Sequence, residues 1–137
     1  MANKIAVELV NVDNSVLLST EADLLIATAT TGEVGIMHGH IPFFASLKPG
    51  HVIIKNEGKA DEAVFISGGF IEVQPQKVTV LADTAERFEA LDEMMAEQAK
   101  REAESELRSA TGPDFERAQM ALAEASARLS LIKRLHK

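Results

Sequence analysis

An N-terminal β-sandwich followed by an antiparallel two-helix hairpin is the fold that the sequence predicts. Three observations carry it. Short apolar runs separated by Gly, Pro and Asn turns fill the first 84 residues, and seven of the eight glycines and three of the four prolines lie there. Residues 87–109 then contain no Gly or Pro and are rich in Ala, Glu, Leu and Met, the strong helix formers. Finally, Thr111-Gly112-Pro113-Asp114 breaks that stretch before a second periodic one.

The strands follow in order. Ile5, Val7 and Leu9 alternate with Ala6 and Glu8. Val16-Leu17-Leu18 and Leu24-Leu25-Ile26 are short apolar runs, and Val52-Ile53-Ile54 follows a turn signal at Lys48-Pro49-Gly50. After Asn56-Glu57-Gly58 come Ala63–Ile66, the bend Ser67-Gly68-Gly69, Phe70–Val73, a turn at Gln74-Pro75-Gln76, and Val78–Leu81. Strands of this length and spacing suggest a sandwich or a barrel, and about 80 residues can close two small sheets over one core. Asp83 with Glu86 offers one early helix cap, and Leu91 a later start. Phe88, Leu91, Met95, Ala99, Ala103 and Leu107 form the expected seam of the first helix. Phe115, Ala118, Leu122, Ala125, Leu129 and Ile132 form that of the second. Gly112 is expected to end the first helix, with Pro113 and Asp114 opening the second. The domains are therefore expected at 1–84 and 85–137.

Composition narrows the function. The 137 residues carry a net charge of −7 and contain no Cys, Trp or Tyr. Disulfide scaffolds, Cys-based zinc sites and thiol nucleophiles are excluded. A phosphate backbone is repelled on average, and no aromatic platform for bases exists, so a nucleic-acid partner is not expected. No apolar run approaches the roughly 20 residues that cross a bilayer, and MANKIAVEL carries no secretory signal. The charge is unevenly placed. Residues 86–116 hold ten acids against four bases, whereas 128–137 hold Arg128, Lys133, Arg134 and Lys137 with no acid.

Catalytic signatures are lacking. His38, His40 and His51 are the candidates for metal ligation, but a third ligand beside His38 and His40 would have to cross a turn, so no metal site is expected. Gly32-Glu33-Val34-Gly35 is neither a Walker loop nor a dinucleotide fingerprint. Asp92/Glu93 and Glu102/Glu104/Glu106 read as a solvated helix face rather than an acid–base dyad. The alanine-rich hairpin seams are thinly hydrophobic, and such a unit needs a partner or the β domain to cover it.

Gly32-Glu33-Val34-Gly35-Ile36-Met37-His38-Gly39-His40-Ile41-Pro42-Phe43 resembles the signature loop of the epsilon subunits of bacterial F-type ATP synthases. Lys48-Pro49-Gly50, Ile66–Val73, Val78–Ala85 and Leu91-Asp92-Glu93 are similar to that family in order and spacing. The resemblance spans the whole chain. It implies a sandwich of about ten strands and a non-catalytic rotor subunit on the cytoplasmic face of the membrane, held there only through its complex. It implies a sandwich bound to the gamma subunit and the c-subunit ring, and a hairpin that blocks ATP hydrolysis in the alpha/beta catalytic head when extended.

By position, Glu33, His38 and His40 would face the c ring. Phe65, Phe70 and Val73 would face gamma, and Arg128, Lys133 and Arg134 would meet the acidic catalytic head. Some members bind ATP at Ile/Leu-Asp-x-x-Arg-Ala. Here Asp92 is present but Met95 stands in place of the arginine, and a thioether cannot hold a phosphate. ATP as a regulatory ligand, or any other cofactor, is therefore not expected. The alternative is an unrelated β-sandwich interaction module that dimerises through its hairpin; a small metallohydrolase using His38 and His40 is the third reading.

Overall fold

A computed structural model describes residues 3–135. The chain divides into two compact units, one ending at Arg87 and the other beginning at Phe88. Among the described residues the first unit holds nine strands, against the expected number of about ten: β1 (Ile5–Asn11), β2 (Val16–Ala22), β3 (Leu24–Ala29), β4 (Gly32–Ile36), β5 (Phe43–Lys55), β6 (Glu62–Ile66), β7 (Gly69–Val73), β8 (Lys77–Ala82) and β9 (Ala85–Arg87). β9 carries the β unit past Thr84, the expected boundary, because Ala85, Glu86 and Arg87 pair with Ile66, Phe65 and Val64. Ala-Glu-Arg has no apolar alternation, so only its pairing partner reveals it as a strand.

The strands run in the order β2-β1-β8-β7-β5-β3-β4, with β6 on β5 and β9 on β6. Period-two alternation builds the core. Ile5, Val7 and Leu9 point inward with Val78, Val80, Ile71 and Val73, against Leu25, Ala27, Val52, Ile54, Val64 and Ile66. β1 and β8 pair in parallel, whereas β5 pairs antiparallel with all of its neighbours.

β5 differs from expectation. Lys48-Pro49-Gly50 does not turn the chain before a new strand; one strand of 13 residues runs through it. Phe43–Leu47 pairs with β7, and Gly50–Ile54 pairs with β6. Pro49, which has no N–H to donate, sits where the partner changes and no ladder bond is lost. Gly50 is required beside it, since a Cβ there would collide with the Thr28 side chain. Thr28 Oγ1 accepts a hydrogen bond from the His51 N–H at 3.1 Å, closing the irregularity where the β3 register slips.

The expected bend at Ser67-Gly68-Gly69 is present. Gly69 has φ 140°, and a Cβ there would run into the Leu81 carbonyl oxygen. Thr84 Oγ1 and Ser67 Oγ lie 2.7 Å apart and close the same end of the sandwich.

The second unit opens with a 3-10 turn at Phe88–Ala90, followed by α1 (Glu93–Leu107) and α2 (Pro113–Leu135). Asp92 caps α1, its carboxylate accepting the Met95 N–H at 3.1 Å; Asp83 takes no part in the cap. Gly112, with φ 60°, serves the start of α2 rather than the end of α1. Its carbonyl accepts the N–H groups of Phe115 at 3.1 Å and Glu116 at 3.3 Å. The end of α1 is closed instead by the Ala110 N–H on the Glu106 carbonyl at 2.8 Å.

The two helices pack on each other, and the short loop 108–112 makes them antiparallel. Of the expected α1 seam, Leu91 and Ala103 are buried and Phe88 and Leu107 half-buried, whereas Ala99 is exposed and Met95 is 69% exposed; Ala96 is buried in that stretch instead. On α2, Ala118, Ala125 and Ile132 are buried as expected, Leu122 and Leu129 are half-buried, and Phe115 is exposed.

Replacing Gly69 with Ala is expected to destabilise the β unit by about 3 kcal/mol, the combined cost of a strained φ and a backbone collision. Gly58→Ala, at a positive φ with open space around it, should cost only about 1 kcal/mol. Urea unfolding of the two variants checks the difference.

Candidate functional site

The strand registers place the surface residues. The pairs Phe43–Val73 and Val73–Val78 set the start of β5 beside the β7–β8 turn, and Leu24–Lys55 and Leu25–Ile36 bring the ends of β4 and β5 together. The loop after β4 is short, spanning 37–42, because Gly32–Ile36 is a strand rather than part of a long loop. Its Gly39 N–H donates to the Pro75 carbonyl at 2.7 Å, which ties the loop to the β7–β8 turn. His40 Nδ1 lies 2.7 Å from the Ile41 carbonyl, and its ring meets Phe43 edge-on with centroids 6.1 Å apart. The loop presents His38, Met37 and a 73% exposed Ile41.

Glu33 does not join His38 and His40. It lies on β4, where it pairs with Thr28 of β3, and its carboxylate lies 3.2 Å from His51 Nε2 across the sheet. The signature run is thus split into a strand that carries Glu33 and a loop that carries the histidines. Among the described residues no group of three or more His, Asp or Glu could hold a metal ion.

A polar knot braces nearby strand ends. Lys4 Nζ reaches Asp23 at 3.0 Å and Asn56 Oδ1 at 2.7 Å, and the Glu57 N–H donates to Asp23 at 2.7 Å. The Glu57 N–H, followed by Lys4, holds the Asp23 carboxyl below the usual carboxylate range.

The outer face of the β2-β1-β8-β7 layer carries the exposed apolar surface. Val16 pairs with Val10, Val10 with Leu81, and Leu81 with Phe70, so four strands contribute one cross-strand row. Phe44, 65% exposed, stacks on Phe70, 45% exposed, with ring centroids 5.6 Å apart and planes inclined by 21°. Glu72, opposite Phe44, and the Glu8–Lys77 pair at 3.9 Å give this ribbon a charged border.

Of the three aromatic and apolar residues expected on a partner-facing surface, only Phe70 is there. Val73 alternates into the sandwich core. Phe65 is fully buried, within a strand whose Ala63–Ile66 are all buried, as an unbroken apolar run implies. Phe44, Leu81, Val10 and Val16 were not singled out from sequence. The Phe43-Phe44 pair did hold a signal, since adjacent strand residues cannot both face the core.

In the second unit, Asp92 is engaged as the cap of α1 and Met95 is exposed. Arg128 is half-buried on α2, and Lys133 and Arg134 are exposed. Their spacing of five and six residues spreads them around the helix.

This architecture has counterparts. Residues 4–88 match the family model described as the beta-sandwich domain of the ATP synthase Delta/Epsilon chain, and 89–133 match its long alpha-helix domain. The ATP synthase epsilon chain of Teredinibacter turnerae is 46% identical over 123 residues, covering 88% of this chain and 87% of that one. The one from Nitrosospira multiformis is 46% identical over 132 residues, covering 96% and 94%. The chain belongs to the ATP synthase epsilon chain family. This epsilon chain is a non-catalytic subunit of the central stalk, and the reading as an unrelated module that dimerises through its helices finds no support.

In the solved structures, a chain of the Euglena gracilis mitochondrial ATP synthase matches with a TM-score of 0.86 at 23% identity, covering 94% of this chain and 81% of that one. A chain of the Tetrahymena thermophila mitochondrial enzyme matches with a TM-score of 0.61 at 13% identity, covering 96% and 97%. These two show the same fold. No helix among the described residues of this epsilon chain is long and apolar enough to cross a membrane.

Asp92→Ala is expected to cost about 1 kcal/mol through the lost cap. It should lower helicity measured by circular dichroism, and ATP titrated into either protein should give no binding heat.

Proposed function

We propose that this epsilon chain couples rotation of a proton- or sodium-driven c-subunit ring to the catalytic head, with the sandwich seated on the gamma subunit. The observation that carries the reading is the apolar ribbon Val16–Val10–Leu81–Phe70 with Phe44 stacked on it. A contiguous apolar patch with a charged border is the form of a protein-binding surface, and its aromatic pair is the natural anchor. Gamma is the partner proposed for it, through Phe44, Phe70 and Leu81.

The loop 37–42 is the proposed c-ring contact. His38 and His40 meet polar groups there, and Met37 and Ile41 add apolar area. Glu33, on the adjoining strand, contributes at the edge of that contact. The chain would lie on the cytoplasmic side of the membrane and associate with it only through the complex. Its net charge of −7 gives no attraction to nucleic acid.

The helical unit is the proposed brake on ATP hydrolysis. Arg128, Lys133 and Arg134 on α2 would engage an acidic surface of the alpha/beta head. Because they are spread around the helix, α2 would have to enter a cleft rather than lie on a flat face. Charges placed this way steer and select the partner more than they add affinity.

Two measurements test the proposal. Changing both Phe44 and Phe70 to Ser should leave the fold intact, since both are exposed, and weaken binding to an alpha3–beta3–gamma complex by about tenfold or more. Unchanged affinity would remove the ribbon from the gamma interface. Full-length chain added to that complex should lower ATP turnover, and a chain with Arg128, Lys133 and Arg134 all changed to Ala should bind equally and restore it. Turnover unaffected by the wild-type chain would leave the rotor role and discard the brake.

A further inference from the structure

The strand path branches at β5 and leaves three outer strands, β2, β4 and β9, with β2 in one layer and β9 in the other. β9 is three residues long and pairs with β6 alone. A strand this short, at the very end of a unit, has little to hold it against peeling. Arg87, its last residue, reaches across the gap. The Arg87 Nη2 donates to the carbonyl oxygen of Leu17 on β2 at 2.7 Å, a link spanning 70 positions in sequence. The side chain also walls a small cavity of about 40 Å³ together with Leu9, Leu17, Leu18, Val64 and Ala85. One residue thus satisfies an outward carbonyl of an edge strand, covers an apolar gap with its stem, and ends the β unit.

We infer that Arg87 is a clasp between the two layers that keeps β9 seated against β6. Nothing in this depends on the identity of the rotor partners. It concerns the isolated chain, and its failure would leave the gamma and c-ring assignments untouched.

The test is hydrogen–deuterium exchange of the full-length protein, read by peptide and paired with urea unfolding. Arg87→Met keeps the apolar stem and removes the donors. It should speed exchange by about tenfold or more in peptides covering Ala85–Arg87 and Val16–Leu18, with β3, β7 and β8 unchanged. Arg87→Lys, which restores a cationic donor, should recover part of the protection. If Arg87→Met does not fold, Arg87→Gln is read in its place against the same peptides. Unchanged protection in β9 would overturn the clasp. So would a uniform rise across all strands in step with a lower urea midpoint, because Arg87 would then be only one stabilising contact among many.

Discussion

β5 is the strand that both layers of the sandwich share. Its first half is hydrogen-bonded to β7 and its second half to β6, with β3 along its other edge. The change of partner at Pro49 is possible because that position forms no ladder bond, and because Gly50 lets the Thr28 side chain approach the backbone. The first half of β5 places Phe44 beside Phe70. The second half carries β6, and β6 in turn carries β9 and the end of the unit. A register slip in β5 would turn every one of these side chains to the opposite face.

The two units are held by different amounts of apolar burial. The sandwich core is made of Ile, Leu and Val from strands of both layers. Each such side chain contributes about 1.5–3 kcal/mol when fully buried. The buried residues of α1 are Ala96 and Ala103, and α2 adds Ala118, Ala125, Leu131 and Ile132. A methyl group is worth about 0.8 kcal/mol on the same scale. Alanine lets the helices approach closely, the large buried side chains gather toward the end of α2 at Leu131 and Ile132, and the caps at Asp92 and Gly112 hold the other ends.

Family membership and local chemistry meet at Asp92. In a chain with an arginine three residues later, the carboxylate and guanidinium together could address a nucleotide. Here the N–H of Met95 is what the carboxylate binds. The same residue type at the same position initiates the helix, and the thioether beside it is exposed.

The sequence by itself determined the class of each half, the alternating cores of β1, β7 and β8, the glycine-dependent bend at Gly68-Gly69, the break between the helices and the family. These are local properties: period two, period 3.6 and turn chemistry are written in neighbouring residues. Tertiary structure decided the rest. It merged the expected turn at Pro49 into one long strand, added β9, put Ala96 in place of Met95 and Ala99 in the α1 seam, and parted Glu33 from His38 and His40. It assembled Val16, Val10, Leu81 and Phe70 into one row. Each of those outcomes depends on which strands lie side by side and in what register, or on where a cap starts the helical count. Pairing joins residues tens of positions apart, so no local pattern in the chain could have shown it.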